Sequence, residues 1–167
     1  MFFCLFSIVW TAPNQAVAHQ YYEVFFPPKT RCLPRVIKLI DGAKKSVYLQ
    51  CYSFTSKPIA IALLKAKRRG VDVQIVTDKS QIKTNGSLVT RLHQKKIPVF
   101  VDHLVAIAHN KTMIIDGRIV LTGSYNWTNA AEKRNAENLV IFYDHTGLVK
   151  DYTQNWIERK NASVAFC

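Results

Sequence analysis

Apolar residues fall into short runs along the chain, and their spacing separates strands from helices. Residues 47–54 carry apolar side chains at positions of both parities, which is typical of a strand covered on both faces of a sheet. Similar short runs predict further strands at residues 71–77, 98–102 and 139–143. Helical spacing and helix end signals predict helices at residues 34–43, 58–69, 88–95 and 146–160.

The order of these elements predicts the class of fold. Strands alternate with helices, and the chain has neither an internal repeat nor an evident linker. Residues 21–30 are predicted to be an extended lead-in, and residues 79–87 a polar loop. We therefore expect one α/β domain over residues 19–167, with a mixed β-sheet flanked by helices on both faces.

A β-hairpin is predicted at residues 107–123. Asp116-Gly117 lies between two apolar runs, and Asp-Gly is a strong signal for a two-residue hairpin turn. Side chains two residues apart on a strand point to the same face. His109 and Lys111 are therefore expected to project together from the first strand of the hairpin.

The turn also predicts which residues lie opposite this pair. With the Asp-Gly dipeptide as the loop, His109 faces Ser124 and Lys111 faces Thr122. With the loop shifted by one residue, Lys111 faces Ser124 and His109 faces Asn126. In both registers an imidazole, an ammonium, a hydroxyl and a carboxamide gather on one face.

This set of groups suits a phosphodiester. Lys111 would neutralise the phosphate, Ser124 and Asn126 would donate hydrogen bonds to its oxygens, and His109 would attack phosphorus or transfer a proton. Each residue alone is more simply explained as a solvated strand position or a turn former. The four together predict a phosphodiesterase site.

The same residues closely resemble the H-x-K-(x4)-D-(x6)-G-S motif of the phospholipase D superfamily. The positions that carry the resemblance are His109, Lys111, Asp116, Gly123 and Ser124. The stretch from Asn126 to Glu137-Asn138 resembles the small single-motif bacterial endonucleases of the Nuc and NucT type. The resemblance covers about residues 36–156.

The resemblance implies a phospholipase D-like fold and a reaction that needs no metal and no cofactor. It implies that the motif histidine is the nucleophile and forms a phosphohistidine, while a second motif histidine protonates the leaving oxygen. By this resemblance His109 takes those roles, and Lys111, Ser124 and Asn126 bind phosphate.

Two acidic residues are assigned to the catalytic group in supporting roles. Asp116 has the opposite parity to His109 and Lys111, so it is expected to support the motif as the first turn residue and not to touch phosphate. Glu137 precedes the strand at 139–143 and is predicted to accept a hydrogen bond from the imidazole nitrogen that does not attack. The alternative for Glu137 is an exposed charge at a strand edge.

A homodimer with one composite site is predicted, because the chemistry needs two histidines and the chain has one His-x-Lys motif. A two-fold axis would bring a second His109 opposite the first. The alternative is a monomer in which His103 or His145 is the acid.

The net charge points to a polyanionic partner. The chain has 23 Lys and Arg against 11 Asp and Glu, a formal charge of +12. A basic run at the end of the second helix is a candidate to follow a nucleic-acid backbone, and Trp127 is a candidate to stack on a base. The run consists of Lys65, Lys67, Arg68 and Arg69. The alternatives are an ordinary basic helix end and a core tryptophan.

We therefore predict a metal-independent endonuclease that cleaves DNA or RNA. The first alternative is a phospholipid hydrolase of the cardiolipin type, since a basic surface also suits an anionic membrane. The second alternative is a non-catalytic nucleic-acid-binding protein in DNA uptake.

The first 18 residues differ from the rest of the chain. An apolar run at residues 2–10 is followed by Ala16-Val17-Ala18, a pattern typical of signal-peptidase cleavage. Residues 1–18 are predicted to be a signal peptide or a membrane anchor, which places the protein in the periplasm or on the outer face of a membrane. The alternative is a buried N-terminal strand. None of the four cysteines lies in a C-x-x-C pair, which argues against a zinc site.

Overall fold

The computed structural model describes residues 21–167, so the predicted leader at residues 1–18 lies outside the described residues. The strands are β1 (Tyr21–Phe25), β2 (Ser46–Cys51), β3 (Asp72–Asp78), β4 (Val99–Asp102), β5 (Lys111–Ile115), β6 (Ile119–Gly123), β7 (Leu139–Tyr143) and β8 (Val164–Ala165). The helices are α1 (Leu33–Gly42), α2 (Lys57–Arg68), α3 (Val89–Gln94), α4 (Asn129–Lys133) and α5 (Thr146–Asn161). Within residues 21–167, no helix has the length and apolar character that a membrane crossing requires.

All eight strands form one mixed sheet in the order β1-β7-β6-β5-β2-β3-β4-β8. The strands β2, β3 and β4 are parallel to one another, and the other neighbours are antiparallel. We call the end of the sheet at which β2, β3 and β4 finish the carboxyl end, and the other the amino end. Because β5 is antiparallel to β2, β5 begins at the carboxyl end.

Helices cover both faces of the sheet, as predicted. The larger core lies on one face, where the buried sides of α1, α2 and α3 meet residues such as Leu49 and Ile75. On the other face α5 packs through Val149 and Trp156 against Ile114 of β5. The fold class expected from the sequence is confirmed.

The predicted elements recur with small shifts at their ends. The extended lead-in is the edge strand β1, which pairs with β7. The polar loop at 79–87 begins with a short 3-10 helix over Lys79–Ile82. Two short elements, α4 and β8, had no counterpart among the predictions. Thr128 caps α4 by accepting a hydrogen bond from the Ala131 N–H at 3.1 Å.

The hairpin β5–β6 has the predicted turn residues but neither of the predicted registers. Asp116 and Gly117 have φ angles of 56° and 64°, as a two-residue hairpin turn requires, and the Arg118 N–H donates to the Ile115 carbonyl at 3.0 Å. However, Ile115 pairs with Ile119, so Arg118 is one extra residue between the strands. The guanidinium of Arg118 donates two hydrogen bonds to the Asp144 carboxylate, at 2.7 and 2.9 Å.

This extra residue shifts every cross-strand partner by one position. Thr112 pairs with Thr122, and continuing this register places Lys111 opposite Gly123. The predicted partners of Lys111, Thr122 in one register and Ser124 in the other, are therefore both wrong. The bulge at Arg118 is the physical reason, because it changes the residue count between the strands by one.

Candidate active site

His109 and Lys111 lie at the carboxyl end of the sheet. Lys111 is the first residue of β5 and pairs with Cys51, the last residue of β2. The Tyr52 N–H donates to the Asn110 carbonyl at 3.1 Å, so the end of β2 also holds the residue between His109 and Lys111. The imidazole of His109 is exposed to solvent, as a nucleophile must be.

The loop before His109, residues 103–108, is anchored at both ends by buried carboxylates. Asp78 accepts the Ala108 N–H at 2.7 Å, and Asp102 accepts the Leu104 N–H at 3.1 Å. Burial raises the pKa of Asp78, but hydrogen bonds from Ser80 and from the Ala108 N–H outweigh it and leave that pKa below its ordinary value. Asp78 therefore stays ionised and fixes the backbone next to His109.

Lys111 is a buried cation. Lys111 is 6% exposed, and its Nζ donates a hydrogen bond to the His109 carbonyl at 2.6 Å. Burial lowers the pKa of the ammonium below its ordinary value, and the nearby charge of Glu137 opposes that shift. Among the described residues, Lys111 takes part in none of the ion pairs. An anionic group of a substrate would therefore supply the charge that this ammonium lacks.

Tyr52 is a member of the site that the sequence did not reveal. Its ring centroid lies 4.6 Å from that of the His109 imidazole, and Nζ of Lys111 lies 5.2 Å from the same ring. The ring therefore contacts both motif side chains and limits their rotation. Its position directly after a buried strand was visible in the sequence, but its pairing with the residue before Lys111 was not.

Gly123 allows the chain after β6 to approach the segment before β7. A Cβ atom at this position would lie 2.2 Å from the Asn138 carbonyl oxygen, a distance that no side chain tolerates. The N–H groups of Ser124 and Tyr125 both donate to that oxygen, at 3.1 and 3.3 Å. Two residues thus face one, which is a β-bulge. The bulge sets the direction of the Ser124 side chain.

Ser124 and Glu137 are joined directly. The Ser124 hydroxyl donates to Glu137 Oε2 at 2.5 Å and accepts the Asn138 N–H at 3.0 Å. The amide of Asn135 donates to the other oxygen of Glu137 at 3.0 Å. Within the described residues, the carboxylate of Glu137 accepts side-chain hydrogen bonds from Ser124 and Asn135, so the predicted bond from the His109 imidazole is not made here. The negative charge of Glu137 acts on Lys111, where it opposes the lowering of the pKa by burial.

Asn126 lies two residues after Ser124 and is partly buried. Its carboxamide oxygen is buried and has no hydrogen-bond partner among the described residues. A buried polar atom without a partner is costly, and because this oxygen is an acceptor, its unused capacity is for a hydrogen-bond donor. The structure thus joins Ser124 to Glu137, with Asn126 close by along the chain. Continuing the register of the hairpin places Lys111 opposite Gly123, the neighbour of Ser124.

Asp116 lies at the amino end of the sheet, away from His109, and it is the first residue of the hairpin turn, as predicted. It is therefore a residue of the fold and does not belong with the catalytic group. Its carboxylate accepts three backbone N–H groups, those of Lys44, Lys45 and Ser46, at 2.7 to 3.1 Å. Burial raises the pKa of Asp116, but these three hydrogen bonds lower it below its ordinary value. Asp116 ties the hairpin to the start of β2.

The basic run of α2 also lies away from the site. The run consists of Lys65, Lys67, Arg68 and Arg69. It lies at the carboxyl terminus of α2, directly before Val71 and the start of β3. This is the amino end of the sheet. The six residues of β2 span roughly 20 Å between this end and the end at which His109 lies. The run therefore forms no continuous surface with the motif residues.

Trp127 is a core residue and is unavailable for stacking on a base. It is 0% exposed, and its indole N–H donates to the Gln50 carbonyl at 3.3 Å. A single bridge to Phe54 fixes its backbone. The nucleic-acid role predicted for Trp127 is therefore wrong, because the chain after Asn126 turns into the core.

The other histidines are poorly placed to assist His109. His145 precedes α5 at the amino end, where its ring meets Phe142 edge-on. His103 follows β4, and β4 is separated from β5 by β2 and β3, about 14 Å across the sheet. His93 packs against Phe166 on the side of α3. His19 lies outside the described residues.

The arrangement places an exposed imidazole, a buried ammonium and hydrogen-bonding groups at the carboxyl end of the sheet. These groups match the needs of phosphoryl transfer, which relies on positioning and on charge stabilisation. Within residues 21–167, there is no cluster of three or more His, Cys, Asp or Glu side chains that could hold a metal ion.

Comparison with known proteins places this geometry in context. Residues 36–160 match the family described as "Cardiolipin synthase, PLD-like domain". A protein named phospholipase D from Rickettsia prowazekii is 42% identical over 140 residues, which cover 84% of this chain and 68% of that protein. A mitochondrial cardiolipin hydrolase from Xenopus laevis is 35% identical over 144 residues, again 84% of this chain and 68% of that protein.

Two solved structures resemble the fold over most of its length. Nuc from Salmonella typhimurium, a phospholipase D family member, superposes with a TM-score of 0.83 and 34% identity, covering 88% of this chain and 98% of Nuc. NucT from Helicobacter pylori gives a TM-score of 0.80 and 27% identity, covering 88% of this chain and 99% of NucT.

Proposed function

Because the chain belongs to the family of PLD-like domains, we propose that it is a metal-independent phosphodiesterase whose natural substrate is nucleic acid. The observation that carries this proposal is the buried ammonium of Lys111 beside the exposed imidazole of His109. A buried cation without an ion-pair partner is costly unless an anion joins it. A phosphodiester would join it at the position from which His109 attacks.

The reaction proceeds in two displacements. A ring nitrogen of His109 attacks phosphorus, the bond from phosphorus to the leaving oxygen breaks, and a protonated second histidine gives that oxygen its proton. Water then attacks the phosphohistidine, giving a proton to the second histidine as the bond from phosphorus to nitrogen breaks. Lys111, Ser124 and Asn126 would stabilise the charge on the phosphate oxygens in both steps.

Glu137 has a positioning role in this scheme. It accepts the hydrogen bond of Ser124, so it orients a donor, and its charge raises the pKa of Lys111 against the effect of burial. When substrate binds, Ser124 would exchange this carboxylate for a phosphate oxygen. The carboxylate would then be free to accept a hydrogen bond from an imidazole.

The likeness to Nuc and NucT favours nucleic acid over lipid, and the charge of +12 suits the phosphates of nucleic acid. Phospholipid is the second candidate, because relatives are named phospholipase D and mitochondrial cardiolipin hydrolase. The discriminating experiment incubates purified protein with single-stranded DNA, duplex DNA, RNA and cardiolipin, each with and without a chelator. Turnover of cardiolipin alone would replace the nuclease proposal, and activity that chelation removes and a divalent metal restores would refute the metal-independent mechanism.

The covalent step has its own test. A short reaction with a phosphate-labelled oligonucleotide, stopped by denaturation at alkaline pH, should leave label on His109. His109→Asn should carry no label, while His103→Asn should be labelled like the parent, since His103 is exposed at the same end of the sheet. Equal labelling of the His109→Asn variant would refute His109 as the nucleophile.

We further propose that the active form is a homodimer in which two copies of His109 meet. The positions of His103 and His145 support this, because neither lies beside His109 in one subunit. The loop before His109 exposes Leu104 at 73% and Ile107 at 56%, and a second subunit would cover them. Residues 1–18 are proposed to export the protein or to anchor it at the outer face of a membrane.

The dimer is tested by mass and by mixing. Light scattering should give twice the chain mass at assay concentration. A tagged heterodimer of parent and His109→Ala chains should be inactive or should accumulate phospho-enzyme, because each site needs both histidines. A fully active monomer, or loss of activity on His103→Ala with the fold intact, would refute the composite site.

A further inference from the structure

A groove of about 410 Å³ lies between α2 and α3, apart from the residues around His109. Its floor is apolar and consists of Ile61 and Leu64 from α2 with Leu88 and Leu92 from the α3 segment. Ile61 is 54% exposed although it lies beside these apolar neighbours. The groove therefore adds one exposed aliphatic side chain, that of Ile61, to a floor that is mostly buried.

The rim of the groove is basic. Lys57, Arg91 and Lys95 line it, and the sequences of α2 and α3 contain no acidic residue. Beyond the rim, the run from Lys65 to Arg69 continues the positive charge along α2 toward the amino end of the sheet. A partner of this surface must therefore combine negative charge with apolar groups.

Nucleic acid and an anionic bilayer both carry negative charge, but the surfaces that bind them differ in their apolar side chains. Grooves for single-stranded nucleic acid use aromatic side chains on which bases stack. The described residues that line this groove include no aromatic side chain, whereas aliphatic side chains within a basic rim suit acyl chains below anionic headgroups. We propose that the α2–α3 surface docks the protein on an anionic lipid bilayer.

The position of the groove leaves the active site free. Lys57 begins α2 at the carboxyl end of the sheet, so the groove starts near that end and runs along the helical layer. The helix α5 covers the other face of the sheet and would point away from the bilayer. His109 would then open sideways, along the membrane surface. The basic run of α2, which lies at the opposite end of the sheet from His109, gains a role as part of the docking face.

Vesicle flotation tests this proposal with the full chain. Vesicles of phosphatidylcholine with about one third phosphatidylglycerol should carry the parent protein, and pure phosphatidylcholine vesicles should not. Arg91→Gln with Lys95→Gln should weaken binding about 25-fold, since each basic residue near an anionic surface contributes about fivefold. Ile61→Asp should weaken it about tenfold, because a charge would replace the apolar contact.

Matched controls lie elsewhere on the chain. Lys29→Gln with Lys150→Gln removes the same charge from the region of the edge strand β1 and from α5, and Ile157→Asp changes an exposed isoleucine of α5, so both should float like the parent. The proposal is overturned if the parent does not float, if the groove variants and controls behave alike, or if the groove variants weaken DNA binding and leave flotation unchanged. A lower mass of Ile61→Asp in sedimentation would also overturn it, because the groove would then seat a second copy.

Discussion

Removal of the Asp116 carboxylate is predicted to weaken the fold and to leave catalysis intact. The carboxylate accepts N–H groups of Lys44, Lys45 and Ser46, and these hydrogen bonds join the turn of the hairpin to the start of β2. A hydrogen bond to a charged group contributes about 1.5–3 kcal/mol when buried, and partial exposure reduces this. We expect Asp116→Ala to lower the free energy of unfolding by about 2–3 kcal/mol, including the strain of alanine at positive φ.

Thermal unfolding measures this effect, and a loss of that size corresponds to roughly 5–10 °C in Tm for a domain of this length. Asp116→Asn should lose about half as much, because asparagine keeps one acceptor oxygen and tolerates positive φ. The exposed acid Asp151 provides the control, since Asp151→Asn should leave Tm unchanged. Turnover per folded molecule should stay within about twofold of the parent for all three variants.

The pH dependence follows from the lowered pKa of Asp116. A carboxyl group whose pKa is lower in the folded state stabilises the fold above its unfolded value, about 3.9, and this contribution is lost as pH falls through the folded value. The difference in stability between the parent and Asp116→Asn should therefore be full at pH 7 and shrink below about pH 4. Loss of activity by more than a hundredfold in a variant with unchanged Tm would refute the structural role.

Three further predictions concern the site and its support. Lys111→Met should reduce turnover by about 10³-fold without lowering the free energy of unfolding in urea, because the variant removes a buried cation that burial disfavours. Gly123→Ala should destabilise the fold by several kcal/mol in the same titration, since its Cβ would collide with the Asn138 carbonyl oxygen. Trp127→Phe should cost about 1–2 kcal/mol through the lost hydrogen bond to Gln50 and leave the salt dependence of DNA binding unchanged, whereas a changed salt slope would show that the indole contacts nucleic acid.

Hydrophobic periodicity was sufficient for the main strands and helices, because it depends on neighbours within one element. It could not predict the cross-strand partners of Lys111, because a single bulged residue, Arg118, changes the number of residues between the two strands. The bulge after Gly123 has the same character: it depends on a carbonyl group of Asn138, 15 residues later in the chain.

The distant contacts explain the remaining differences between expectation and structure. Asp116 contacts residues about 70 positions earlier in the chain. Tyr52, which follows β2, contacts His109, which precedes the neighbouring strand β5. The basic run of α2 looked suitable for a substrate strand in the sequence. Only the direction of α2 across the sheet shows that the run and the motif lie at opposite ends.

The two anchors of the loop at residues 103–108 have a consequence for how this scaffold can diversify. Asp78 and Asp102 hold the backbone at the loop ends through N–H groups, which every residue except proline provides. The side chains of Leu104 and Ile107 take no part in that anchoring. Their identity can therefore change, through evolution or by engineering, while the backbone beside His109 stays in place. The loop is a site at which new partner preferences can be selected without moving the backbone that holds His109.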